Sequence, residues 1–230
     1  MEETNKRYVV PGDYIADGNV KAVLNAVKID EKIYATRVGI AEVGKDGARV
    51  IPLSGTYMPR IGDLVIGKVK DHSAMAWELD INSCFSGYLP ASDVYGKEYS
   101  PSQDDLTKMF NKGDLIACKI VNYDRSRDPL LTASDQDLGK IPEGKIVRVS
   151  PTKIPRLIGK KGSMIQTIEQ GTHCKIIIGQ NGIIIVSGPS TDNVMLAVKA
   201  IKMVEEKAHM SNLTQHVKEM LQGSTGGSIE

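Results

Sequence analysis

Apolar and polar positions change period twice along the chain. Over residues 8–58 the apolar runs are short and cut by Gly12, Gly18, Gly39, Gly44, Gly47 and Gly55. Ile33–Ile40 and Ala48–Leu53 are rich in β-branched residues and read as strands. Val20–Val27 fits a strand or a single helical turn. From Gly62 the pattern gives five strands: 62–70, 76–81, 85–89, 115–123 and 130–134. In the first, Leu64, Ile66 and Lys68 share one face, with Val65 and Val69 between them. In the second, Trp77, Leu79 and Ile81 alternate with Glu78 and Asp80, so Trp77 is expected in a core. A polar, helix-containing excursion, 91–112, separates the third strand from the fourth. Five short strands with that insertion predict a small closed Greek-key barrel.

After residue 140 helical periods enter. Lys145–Val149 alternates as a strand, and Pro151 opens a short apolar helix through Leu157 and Ile158. The sequence Gly159-Lys160-Lys161-Gly162 interrupts it. Ser163 starts a second helix carrying Met164, Ile165 and Ile168, with Gly171 expected to close it. Strands 175–178 and 183–186 follow, joined by the turn Gly179-Gln180-Asn181-Gly182. A last helix is capped by Ser190 or Thr191, with Val194, Val198, Ile201 and Val204 as its buried stripe. The order is β-α-α-β-β-α. Beyond Met210 the chain is polar, and 223–228 is glycine- and serine-rich, so 211–230 is expected to be a flexible tail. The expected architecture is therefore multi-domain, mainly β and then α+β. It comprises a small N-terminal β domain (1–58), a five-stranded barrel (59–137) and an α+β domain (141–210).

Composition adds little until it is divided by segment. Over 230 residues, Lys plus Arg is 29 and Asp plus Glu is 28, which excludes a globally basic nucleic-acid coat. Residues 1–58 are neutral, 59–140 carry net −3, and 141–212 carry net +5. Within the last segment, 145–175 holds seven Lys or Arg and a single acid, Glu169. Cys84, Cys118 and Cys174 are widely spaced, and the four histidines form no HExxH pair. Neither a disulfide framework nor a metal site is expected, and a reducing compartment is the simpler reading. No apolar run reaches a membrane span or a secretory leader, which points to a cytoplasmic protein without a membrane partner.

The local charge coincides with one motif. In Gly159-Lys160-Lys161-Gly162, glycines at both ends let a sugar-phosphate backbone approach the peptide closely. Helix-start N–H groups and the helix dipole then favour an anion. Lys160 and Lys161 supply charge, with Lys153 and Arg156 just upstream. This loop, in this β-α-α-β-β-α order, is the clamp by which KH domains hold about four nucleotides of single-stranded RNA. The spacing is not that of a P-loop, and there is neither a GxSxG elbow nor a dinucleotide GxGxxG. No catalytic constellation and no cofactor motif are found. On an oligonucleotide-binding barrel, Phe85 and Tyr88 are candidates for stacking on bases. Lys68, Lys70, Lys119, Arg125 and Arg127 are candidates for phosphate contacts.

Gly62-Asp63-Leu-Val-Ile-Gly67-Lys-Val69, Trp77-Glu-Leu-Asp80-Ile81-Asn82-Ser83 and Leu89-Pro-Ala-Ser92 together resemble an S1 domain. With the KH loop behind them and Pro11-Gly12-Asp13 in front, residues 8–210 resemble the archaeal exosome RNA-binding cap subunits of S1/KH type. The resemblance implies a non-catalytic subunit of which three sit on a hexameric ring of RNase PH-like subunits. The N-terminal domain would dock on the ring, and the subunit would guide single-stranded RNA into the pore for 3′-to-5′ degradation. Three rivals stand beside it. Polynucleotide phosphorylases carry KH before S1, behind large catalytic domains for which there is no room here. Transcription antitermination factors place S1 before KH but carry two KH modules. A translation-associated S1 protein has no evident use for the N-terminal β domain.

Overall fold

The computed structural model describes residues 7–44, 46–96, 99–101, 105–208, 210 and 212–225. It divides into two compact units, 1–55 and 56–230.

The first unit is two three-stranded antiparallel sheets. One orders β1 (Arg7–Val9), β5 (Gly39–Gly44) and β6 (Gly47–Pro52) as β1-β5-β6. The other orders β2 (Tyr14–Asp17), β3 (Ala26–Ile29) and β4 (Lys32–Ala35) as β2-β4-β3. Val20–Val27 is neither one strand nor a helical turn: a bridge from Ala22 to Ala48 is followed by a bend at Leu24 and Asn25, with Asn25 at φ 52°, before β3. The run 33–40 is split between β4 and β5. The core is small: Val9, Ile15, Ile33, Ala35, Ala41, Ala48 and Val50. Alternation puts Tyr8, Ile40 and Ile51 on the face away from Val9, Ala41 and Val50, and the register aligns these three in one row. Tyr8 is 78% exposed and Ile51 40%.

The second unit opens with the barrel. Its strands are β7 (Leu64–His72), β8 (Ala76–Asp80), β9 (Ser86–Pro90), β10 (Leu115–Asn122) and β11 (Leu130–Thr132). They follow the order β11-β9-β8-β7-β10, and a β10–β11 pairing closes the ring. Val65, Val69, Leu79, Leu89, Ile116, Ile120 and Leu131 fill it. Trp77 is fully buried, its indole N–H donating to the Phe110 carbonyl at 3.2 Å. Its ring is stacked on Tyr95 and edge-on to Phe110. The excursion after β9, which includes α1 (Ala91–Tyr95), thus packs against the core. Tyr57 is also buried in this core and donates to Asp63 at 2.6 Å. The barrel unit therefore begins before residue 58. Burial and then this hydrogen bond raise the Tyr57 pKa.

A two-residue strand, β12 (Gly139–Lys140), pairs with β10 and leads into the last part of the unit. There, β13 (Lys145–Arg148), β14 (Lys175–Ile178) and β15 (Ile183–Ser187) form the antiparallel sheet β13-β15-β14. Against it lie α2 (Ile154–Ile158), α3 (Ser163–Thr172) and α4 (Thr191–Glu206). Ser190 caps α4, accepting from the Asn193 N–H at 3.2 Å. The α4 stripe is turned slightly from the expected one. Ala197, Ala200, Ile201 and Val204 are fully buried, while Val194 and Val198 are only partly so.

Two expectations are corrected. Gly171 does not end α3; the helix runs to Thr172, and His173 takes the left-handed conformation with φ 54°. Gly171 is small for a packing reason, since a Cβ there would lie 2.7 Å from Leu221 Cδ1. That leucine belongs to α5 (Leu213–Thr225), where a flexible tail was expected. Leu213, Val217 and Leu221, four residues apart, are buried in the same core as α3 and α4. Burying three such side chains stabilises by about 1.5–3 kcal/mol each, and Gln215, Lys218, Glu219 and Met220 between them are good helix formers. Residues 211 and 226–230 of the expected tail lie outside the described residues.

The barrel and the α+β domain share an apolar seam of Ile66, Ala117, Ile141, Ile183 and Ile185. At its end the Asn181 side chain is fully buried. Its Nδ2 donates to the carbonyls of Ile66 (2.8 Å) and Ile81 (2.9 Å), and its Oδ1 accepts from the Ile66 N–H (3.3 Å). Asn82 Nδ2 donates to the Asn181 carbonyl at 2.8 Å, and the Gln180 N–H to the Leu64 carbonyl at 2.7 Å. The turn 179–182 is thereby locked onto β7.

Candidate nucleic-acid interface

Two surfaces hold the predicted residues. The first is the loop between α2 and α3. Gly159 has φ 74° and ψ 179°, and a Cβ there would lie 2.9 Å from the Met164 backbone nitrogen. Lys161 and Gly162 are left-handed, with φ 52° and 81°. The loop is therefore a tight turn against the start of α3, and Lys160 and Lys161 project into solvent. No side chain caps α3 and no acid lies in its first turn, so the positive end of the helix dipole favours an anion there, although the Ser163 N–H is already bonded to the Lys160 carbonyl.

Lys153 is half-buried and Arg156 exposed; the Arg156 Nη2 donates to the Met210 carbonyl at 2.7 Å, tying the guanidinium to the chain beyond α4. The one nearby acid in sequence, Glu169, accepts from the Ile176 N–H at 2.9 Å and is thus engaged on β14. Geometry and charge agree at this loop.

The second surface is the outer face of the barrel. Leu64, Ile66 and Ala117 lie on its β7–β10 side, where Ile66 and Ala117 enter the seam. The open part runs over β8, β9 and β11. The register there sets Glu78 opposite Tyr88, and Tyr88 opposite Leu130. Tyr88 is 43% exposed. It lines a groove of about 430 Å³ with Tyr123, Asp124, Arg127 and Asp128. Tyr88 and Asp128 also line an adjoining groove of about 360 Å³ that includes Asp71, His72 and Glu78.

Phe85 is half-buried and is not among the groove residues; it packs edge-on against Tyr123, with ring centroids 5.3 Å apart. Burial raises the Tyr123 pKa. Arg125 sits in the β10–β11 turn with φ 69°, where Asp124 accepts from Ser126 Oγ at 2.8 Å. That hydrogen bond holds the Asp124 carboxyl below its usual pKa.

The other barrel cations are not gathered. Lys68 pairs across strands with Asp80, and Lys119 lies opposite Thr132 on β10. Lys70 Nζ donates to Glu78 Oε1 at 3.0 Å, which raises the Lys70 pKa. Ser86 Oγ donates to the same oxygen at 2.8 Å; this bond first, and then Lys70, lower the Glu78 pKa. The groove thus has an aromatic floor and acidic walls, with Arg127 on one side. Sequence reasoning did not single out Glu78 or Asp128 as groove residues. Alternation with Trp77 placed Glu78 on the outer face, but only the closed ring brings it beside Asp128.

Among the described residues, no group of His, Cys, Asp or Glu is arranged to hold a metal ion, and no helix is long and apolar enough to cross a membrane.

A closed five-stranded barrel joined to a β-α-α-β-β-α domain with an exposed GxxG loop, behind a small β domain, defines an S1/KH protein. Three family models together cover about three quarters of the chain. They are the exosome RNA binding protein RRP4 N-terminal domain (residues 6–54), the RRP4 S1 domain (56–122) and the KH domain (144–203). The exosome complex component Rrp4 of Nitrosopumilus maritimus is 52% identical over 216 residues, covering 94% of this chain and 96% of the relative. That of Thermofilum pendens is 38% identical over 221 residues, covering 95% and 93%. A crystal structure of an exosome complex RNA-binding protein matches at 40% identity with a TM-score of 0.69, covering 74% of this chain and 98% of the other. The chain belongs to the Rrp4 family of exosome components.

Proposed function

We propose that this chain is a non-catalytic RNA-binding cap of a cytoplasmic exosome, three copies standing on a hexameric RNase PH-like ring and feeding single-stranded RNA into its pore. The observation that carries the RNA reading is the Lys160–Lys161 loop, exposed at the uncapped start of α3 with no acid in the first turn. Family membership supports assembly with the exosome. The apolar row Tyr8–Ile40–Ile51 on the outside of the neutral N-terminal unit suits a docking face, since exposed apolar rows of this kind mark protein interfaces.

Each compact unit has its own buried cluster, so the cut belongs after Gly55, which keeps Tyr57 with the barrel. Residues 56–230 should bind single-stranded RNA about as the full chain does and fail to co-purify with the ring. Full-strength ring binding by the truncated chain would place docking elsewhere. Phosphate-dependent or hydrolytic release of nucleotides by the pure full chain would overturn the non-catalytic reading.

A further inference from the structure

The barrel groove has the wrong charge for a phosphate track. Asp71, Glu78, Asp124 and Asp128 line its two compartments against Arg127, with Lys70 paired to Glu78, so acids still outnumber cations. A strand that enters must therefore turn its bases inward and its phosphates away. Tyr88 offers the platform: exposed, on the outer face of β9, and shared by both compartments. Glu78 is its direct cross-strand neighbour, which puts the two Cβ atoms about 5 Å apart.

The two carboxylates nearest this platform are held in the same way. Glu78 Oε1 receives Ser86 Oγ and Lys70 Nζ, while Asp128 Oδ1 receives the Ser86 N–H at 3.2 Å. Ser86 thus anchors one oxygen of each. Among the described residues, Glu78 Oε2 and Asp128 Oδ2 accept no hydrogen bond. Two oriented carboxylate acceptors beside a stacking ring fit a base edge that donates through an exocyclic amino group, as carboxylates do for cytosine N4. Uracil has no amino group; its one edge donor, N3–H, is flanked by O2 and O4, which would meet the carboxylates as further acceptors, so a second carboxylate finds no partner on it.

We infer that the Tyr88 groove is a base-reading site in which Glu78 and Asp128 select adenine, cytosine or guanine over uracil. The inference rests on the reading that the barrel groove takes single-stranded RNA. It divides labour within the molecule: the lysine loop holds the strand without reading it, and the barrel reads it.

The test uses the full chain and fluorescence anisotropy with 12-nucleotide oligo(A), oligo(C) and oligo(U) at one salt concentration. The wild type should prefer A and C over U by about tenfold or more, the lower end of what one hydrogen bond to a charged group is worth. Glu78→Gln and Asp128→Asn keep an oxygen for Ser86, so the fold should hold. Each should bring the A:U and C:U ratios towards one. Any general gain from losing a negative charge cancels in the ratio. Tyr88→Ala should weaken all three oligonucleotides together. If Tyr88→Ala binds like the wild type, the groove does not take RNA. If Tyr88→Ala weakens binding but the wild type does not discriminate, or both carboxamide variants leave the ratios unchanged, base selection by the carboxylates is refuted and the groove reading stands.

Discussion

The α+β domain contains two four-residue turns bounded by glycines, and they have opposite fates. Gly159-Lys160-Lys161-Gly162 lies in solvent at the start of a helix, and its middle residues project outward. Gly179-Gln180-Asn181-Gly182 lies between two strands and is sealed against the barrel, with Asn181 fully buried. Both end in a glycine at positive φ, 81° at Gly162 and 84° at Gly182. The backbone alone therefore does not tell a ligand loop from a structural latch. The middle pair does: two lysines cannot be desolvated without a counter-charge, whereas an amide offers donors and an acceptor to bare strand groups.

The largest effect expected from breaking this contrast is at Asn181. Asn181→Lys places a charge where three side-chain hydrogen bonds now meet the backbone of Ile66 and Ile81. It should cost about 3–5 kcal/mol in chemical denaturation, as an uncompensated buried charge does. The reciprocal exchange, Lys160→Gln with Lys161→Asn, should leave stability within about 0.5 kcal/mol, as for an exposed turn, while weakening RNA binding. Equal stability losses from the two exchanges would erase the distinction.

A smaller difference is expected between the closing glycines. At Gly182 a Cβ would lie 2.2 Å from the Val149 carbonyl oxygen, whereas at Gly162 nothing lies closer than 3.7 Å. Gly182→Ala should cost about 2–4 kcal/mol, combining left-handed strain with overpacking. Gly162→Ala should cost only the strain, about 1–2 kcal/mol. Thermal denaturation of the two variants reads the order, and a Gly162→Ala loss as large as that of Gly182→Ala would mean that the first turn is also packed.

These two turns also show what the sequence makes legible. Local chemistry was readable: the lysine loop, the five barrel strands and the β-α-α-β-β-α order all rest on residues close together in the chain. The latch was not, because the strand groups that Asn181 satisfies are 115 and 100 residues away, and a turn was the only local reading. The groove walls were half legible, since alternation exposed Glu78 but could not set it beside Asp128. The last helix was missed for a different reason. The glycine and serine content of 223–228 outweighed the four-residue spacing of Leu213, Val217 and Leu221, and the stripe packs against α3 and α4, which the local sequence does not bring to it.

The central claim is that the lysine loop holds the phosphate backbone of single-stranded RNA. It is tested most directly by the salt dependence of binding in Lys160→Asp with Lys161→Asp, compared with the wild type by anisotropy between 50 and 200 mM salt. Loss of two phosphate contacts should lower the slope of log affinity against log salt by about 1.4, at about 0.7 per contact on a single strand. Affinity at low salt should fall for every sequence alike, because phosphate contacts position a strand without reading it. A variant that remains folded by circular dichroism and keeps both the wild-type affinity and the wild-type slope would contradict the account.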